Sequence, residues 1–126
     1  MKRFWIGLCV LSLLLAAGLG ITCFMERAHR PISTDLMQAS QAVLQGNWEE
    51  GLACAQAAQE KWTAHSDFTA ACADHAVLEE AEGLFAQIQV YAAARDSVSF
   101  SATCAHLSRR IQAIAESHLS KWQNLL

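Results

Sequence analysis

Residues 4–25, "FWIGLCVLSLLLAAGLGITCFM", contain no charged side chain, and this run constrains the chain more than any other feature. As a helix rising 1.5 Å per residue it extends about 33 Å, enough to cross the roughly 30 Å hydrocarbon core of a bilayer. It predicts a transmembrane anchor over residues 4–25 in contact with membrane lipid. The competing reading is a cleaved signal peptide, favoured by the terminal position and by Lys2 and Arg3 ahead of the run. Signal-peptide apolar regions are about 7 to 15 residues long and end at a small-residue site. Only Ala16 to Gly18 resembles such a site, and the apolar run continues beyond it. Length therefore favours a retained anchor.

The cations flanking the run, Lys2 and Arg3 on one side and Arg27 and Arg30 on the other, nearly balance. The amino terminus and the offsetting Glu26 tip the positive-inside rule toward a cytoplasmic N-terminus at residues 1–3. The expected location is the cell membrane, single-pass, with a linker over residues 26–32 and an extracytoplasmic domain over 33–126. From Pro31 onward five cations face eleven acids, a net charge of −6 with histidines neutral. That balance repels phosphate backbones, so nucleic acid is not an expected partner.

The domain is alanine-rich, has few β-branched residues and keeps its one proline at its edge, which favours helix. Caps and spacing predict four helices, over about 33–45, 48–63, 66–94 and 97–122. The first carries Leu36, Ala39 and Val43 on one side and stops at Gly46. "NWEE" from Asn47 to Glu50 is a capping box that starts the second, whose stripe includes Trp48, Leu52, Ala55 and Trp62. The third presents Val77, Leu78, Ala81, Leu84, Phe85, Ile88 and Tyr91. Asp96 caps the fourth, where Phe100, Cys104, Leu107, Ile111, Ile114, His118, Trp122 and Leu125 recur at spacings of three and four. The short connections "GN", "TAHS" and "RDS" require antiparallel neighbours. The fold class is all-α: an N-terminal transmembrane helix followed by an up-down antiparallel bundle of about four helices.

The stretch "CADHAVLEEAEGLF" holds the densest set of reactive side chains. On one continuous helix Cys72, His75, Glu79 and Glu82 share a face at spacings of three, four and three, and ligands one turn apart can converge on a divalent metal. Against that, there is no His-Glu-x-x-His motif, no Cys-x-x-Cys pair and no second ligand pair at matching spacing. The bland reading is a solvated face with a His75 to Glu79 pair. Asp74 turns toward the apolar side, where a carboxylate needs a partner. An indole N–H of Trp48 or Trp62, or a nearby hydroxyl, is the expected one, making Asp74 a buried structural tether between the second and third helices in preference to a catalytic acid, for which no nucleophile or second carboxylate is placed. Cys54, Cys72 and Cys104 have no framework-like spacing; one pair can oxidise outside the cytoplasm, or all three can serve as small core hydrophobes.

No nucleophile elbow, phosphate loop or paired-carboxylate site is present, so no catalytic residue and no cofactor are expected. The chain reads as a non-catalytic interaction or envelope-associated module with a protein partner of unknown identity. The alternative is a metal- or ligand-sensing domain that uses the Cys72, His75, Glu79 and Glu82 face.

Taken in order, the N-terminal apolar segment, "GNWEEG", Trp62, the Asp74-His75 dipeptide, Glu79 and the terminal "WQNLL" resemble an uncharacterised family of small membrane proteins of Gram-positive bacteria, domain-of-unknown-function family four-three-six-three. The resemblance implies a single-pass, membrane-anchored helical protein and brings no activity with it. It stresses Trp48, Trp62, Asp74, His75 and Glu79 as recurring positions. Gly51 stands where such proteins have alanine, and Leu125 where isoleucine is usual.

Overall fold

A computed structural model describes residues 1–72 and 74–125, with the side chains of Met25, Phe68, Cys72 and residues 117–125 outside the description. The described residues form four α-helices and no strand: α1 (Lys2–Leu44), α2 (Trp48–Cys72), α3 (His75–Ala94) and α4 (Ser97–Leu125). The all-α, up-down bundle with an apolar N-terminal helix is therefore the observed architecture.

Two boundaries differ from the sequence expectation. There is no linker at residues 26–32, because α1 runs through Pro31 without a break and joins the apolar segment to the first bundle helix. Proline lacks the N–H that would bond the Arg27 carbonyl, but both residues lie on the exposed side, where water can take that role. The second boundary is displaced by several residues: α2 continues through the expected "TAHS" turn to Cys72, and the break comes at Asp74. Three hydroxyls in and just beyond this stretch bond backward into their own helix. Thr63 Oγ1 donates to the Gln59 carbonyl at 3.0 Å, Ser66 Oγ to Thr63 at 2.9 Å and Thr69 Oγ1 to His65 at 2.8 Å. Without a glycine or proline nearby, such back-bonding lets the helix continue.

The other ends follow local chemistry closely. Gly46 adopts φ +84°, the Asn47 N–H donates to the Ala42 carbonyl at 2.8 Å and the Gly46 N–H to Val43 at 3.0 Å, which closes α1 in a Schellman arrangement. Asn47 Oδ1 then accepts from the Glu50 N–H at 3.2 Å, while the Glu50 carboxylate accepts from the Asn47 side-chain amide at 3.0 Å. Arg95 ends α3 in the left-handed region, φ 55° and ψ 32°, a conformation that disfavours a side chain. Its guanidinium lies over the Trp48 ring, 5.1 Å from the centroid, and this contact compensates part of that cost.

The core is one cluster fed by all four helices. It contains Ile32, Leu36, Ala39 and Val43 of α1, Ala55, Ala58 and Trp62 of α2, Leu78, Ala81, Phe85 and Ile88 of α3, and Phe100, Cys104, Leu107, Ile111 and Ile114 of α4. The apolar stripes read from the sequence are these faces. His118, Trp122 and Leu125, expected on the same α4 stripe, have side chains outside the described set.

Helix α1 packs most extensively on α4 and α2, and α2 meets α3 least. The α1–α4 seam is closed by two reciprocal serine pairs seven residues apart on each helix. Ser40 Oγ donates to the Ser101 carbonyl at 3.0 Å and Ser101 Oγ to the Ser40 carbonyl at 3.1 Å. Ser108 Oγ donates to the Ser33 carbonyl at 3.1 Å, the two hydroxyls lie 2.7 Å apart, and Gln112 Nε2 donates to Ser33 Oγ at 2.9 Å. All four serines are buried, and a buried hydroxyl without a partner costs about 1–3 kcal/mol. The reciprocal pairing removes that cost and fixes the register, while the small side chains let the helices approach closely. On the other flank of α1, a Cβ at Gly51 would overlap the Val43 Cγ2 methyl and come within 3.3 Å of the Ala39 carbonyl oxygen. The start of α2 therefore packs directly onto α1 backbone.

Candidate functional site

The residues singled out from the sequence do not form one site: Asp74 and His75 stand at the α2–α3 junction, whereas Trp48 begins α2 at its opposite end. Asp74 is exposed and is the N-cap of α3: with φ −67° and ψ 135°, its Oδ1 accepts from the Ala76 N–H at 3.2 Å. It is not a buried tether. The expectation placed it inside a longer helix, on that helix's apolar side; as the N-cap of α3 it has extended backbone angles and an exposed side chain instead.

The two tryptophans do hold helices together, by packing and without a carboxylate. Trp48 is half-buried and meets Phe100 of α4 edge-on at 5.3 Å between ring centroids. Trp62 is 4% exposed, wedged between His29 of α1 and Phe85 of α3, both at 6.0 Å between centroids. Its indole N–H has no hydrogen-bond partner among the described residues.

The proposed metal face is split by the same break. Cys72 is the last residue of α2 and His75 the first of α3, so their spacing of three no longer defines one face, and the Cys72 side chain lies outside the described set. His75, Glu79 and Glu82 are exposed on α3. Among the described residues no group of three or more His, Cys, Asp or Glu side chains is gathered to hold a metal ion.

The described cysteines, Cys9, Cys23, Cys54 and Cys104, are free thiols. Burial pushes the Cys104 thiol up to about 12, so at neutral pH it is an inert core side chain. Cys54 is also raised, by burial first and then by the carboxylates of Asp35 and Glu50.

Two concave features were not anticipated. The first follows the thin α2–α3 seam: a cleft of about 380 Å³ floored by Leu52, Ala55, Phe85, Ile88, Ala92 and Phe100 and rimmed by Gln56, Gln59 and Gln89. Among the described residues one side-chain hydrogen bond crosses it, Gln89 Nε2 donating to Gln59 Oε1 at 2.7 Å. It continues into a smaller recess of about 230 Å³ against Trp62, Thr63, Ser66 and Glu82. An apolar floor with an amide rim suits a docked apolar side chain or helix face better than a reacting substrate. The second is a polar pocket of about 260 Å³ on the α1–α4 side, bounded by Glu26, His29, Arg30, Ser33, Thr34, Gln112, Ala115 and Glu116. His29, 2% exposed, lies on the buried stripe of α1 four residues before Ser33. The signal for it was the continuation of the Leu36, Ser33 and Ile32 periodicity backwards across Pro31, which the expected linker had interrupted.

The molecule is thus an all-α protein whose first helix is both an apolar N-terminal segment and a core strut of the bundle. By sequence it belongs to the family described as Domain of unknown function (DUF4363), which matches residues 22–125. No curated protein and no solved structure matches the chain.

Proposed function

We propose that this protein is a membrane-anchored, non-catalytic interaction module of a Gram-positive cell membrane, which holds its N-terminus in the cytoplasm and offers the α2–α3 cleft to a protein partner outside. The observation that carries this reading is the contrast along α1. Its N-terminal half exposes Phe4, Trp5, Ile6, Leu8, Val10, Leu11, Leu13 and Leu14, all at least 45% accessible, whereas Ile32, Leu36, Ala39 and Val43 of its other half are almost wholly buried. A run of large apolar side chains left outside a well-formed core calls for a nonaqueous neighbour, and the whole uncharged segment 4–25 is long enough to cross a bilayer. The α2–α3 cleft supports an interaction role, since Leu52 and Ala92 on its apolar floor are only partly covered by the bundle.

The test is expression of the full chain in its native host, with alkaline carbonate extraction, a C-terminal alkaline phosphatase fusion and crosslinking before purification. Retention in the membrane pellet, an active fusion and a crosslinked partner lost on Ala92→Arg in the cleft are expected. Release by carbonate would defeat the anchor, an inactive fusion the orientation, and the absence of any crosslinked partner the interaction role.

A further inference from the structure

The bundle grips α1 well inside its apolar run. Gly18 and Thr22 are buried, and the Phe24 ring lies 6.0 Å from the His65 ring of α2. The part of the run that stands free of the bundle is residues 4–17, about 21 Å of helix, against roughly 30 Å of hydrocarbon to be crossed. Antiparallel to α1, helix α2 continues past His65 to Cys72. Ala71, exposed in its last turn, therefore lies about 9 Å closer to the α1 N-terminus than the Phe24–His65 contact. At this level the outer side of α1 is still apolar: Leu19, Ile21 and Phe24 are 68%, 41% and 45% exposed. Asp67 and Asp74, exposed on the neighbouring turns of α2 and α3, keep the same end out of hydrocarbon. An end that must come close to lipid, yet carries carboxylates, fits the headgroup layer.

We propose that the near end of the bundle, the last turns of α2 and the Asp74 cap of α3 around residues 18–24 of α1, is a lipid-contacting surface seated among the headgroups. The inference rests on the membrane-anchored reading. The anchor is then a short span, and the bundle does not stand clear of the bilayer on a stalk. Leu19, Ile21 and Phe24 meet the boundary between acyl chains and headgroups, and exposed Arg27 and Arg30 lie one to two turns farther out, within reach of lipid phosphates. The shortfall of about 9 Å is taken up by local thinning of the bilayer and by Lys2 and Arg3 reaching to the opposite surface.

The experiment places a benzophenone amino acid at position 11, 71 or 98 of the full chain in phosphatidylcholine–phosphatidylglycerol vesicles and detects lipid adducts by mass spectrometry after irradiation. Position 11 lies in the bare shaft, 71 at the near end and 98 at the far end of the bundle, where Val98 is 71% exposed. Adducts at 11 and 71 but none at 98 are expected. Adduct at 11 alone overturns the proposal and leaves the anchor intact, while none at 11 overturns the anchor itself. Adducts at all three positions mean that the bundle lies flat on the membrane, which also overturns the proposal. A second measurement needs no substitution: spin-labelled headgroups should broaden the Ala71 amide resonance of the native chain and leave that of Val98 sharp. Equal sharpness at both positions overturns the proposal.

Discussion

The α1–α4 seam and the α2–α3 seam solve the same packing problem with opposite outcomes. Across the first, Ser33, Ser40, Ser101 and Ser108 bring two backbones together and satisfy one another's hydroxyls. Across the second, larger and more polar side chains hold the helices apart, and one glutamine pair spans an apolar-floored cleft. The closed seam makes the bundle a rigid extension of the apolar helix, and the open one leaves surface for something else to cover. Stability should therefore concentrate on α1 and α4, and adaptability on α2 and α3.

That asymmetry can be broken most severely by Leu107→Ala. Leu107 is fully buried, and its truncation should lower stability by about 2–5 kcal/mol. Leu52→Ala, at a half-buried cleft position, should cost less than half as much when both variants are melted in detergent and followed by circular dichroism. Comparable losses would mean that the two seams do not differ. Next in size is Ser40→Leu, which forces a branched side chain between α1 and α4 and should cost about 1–3 kcal/mol. The matching change across the cleft, Gln59→Leu, should stay within about 0.5 kcal/mol, because the seam there has room.

Asp74→Ala should cost about 1 kcal/mol, as loss of a helix cap does, and Asp74→Asn should be nearly neutral. Equilibrium denaturation distinguishes this from a buried tether, whose loss would cost several kcal/mol for either substitution. The smallest effect concerns Asp96, whose carboxyl is held below its ordinary value of 3.8 by the Ser99 hydroxyl and by the Ser99 and Val98 backbone N–H groups. A folded-state value below the unfolded one means that the ionised cap stabilises above pH 3.8 and loses this contribution as pH falls through the folded value. The melting temperatures of the native chain and Asp96→Asn should converge as acid is added across that window. A gap that widens instead would show that the cap does not act through its charge.

Much of this architecture is legible in the residues alone. The uncharged run at 4–25, the Asn47 and Asp96 caps, the Gly46 stop and the apolar stripes of α3 and α4 all depend on neighbours within a turn or two, so composition and spacing determine them. The order of short motifs likewise pointed to the family that matches residues 22–125. Tertiary structure decided what local rules leave degenerate. Pro31 can end a helix or sit on its solvent side, and packing of Ile32, Ser33 and Leu36 against α4 selects the continuous α1. "TAHS" and "ADH" both offer caps, and only the second is used, because Trp62 and Thr69 are buried on either side of the first and hold it helical. Moving that one break turned Asp74 from a core residue into a cap and divided the Cys72 and His75 face between two helices. The serine pairs of α1 and α4 are invisible to any local reading: each hydroxyl's partner lies more than sixty positions away, and only the antiparallel register brings them together.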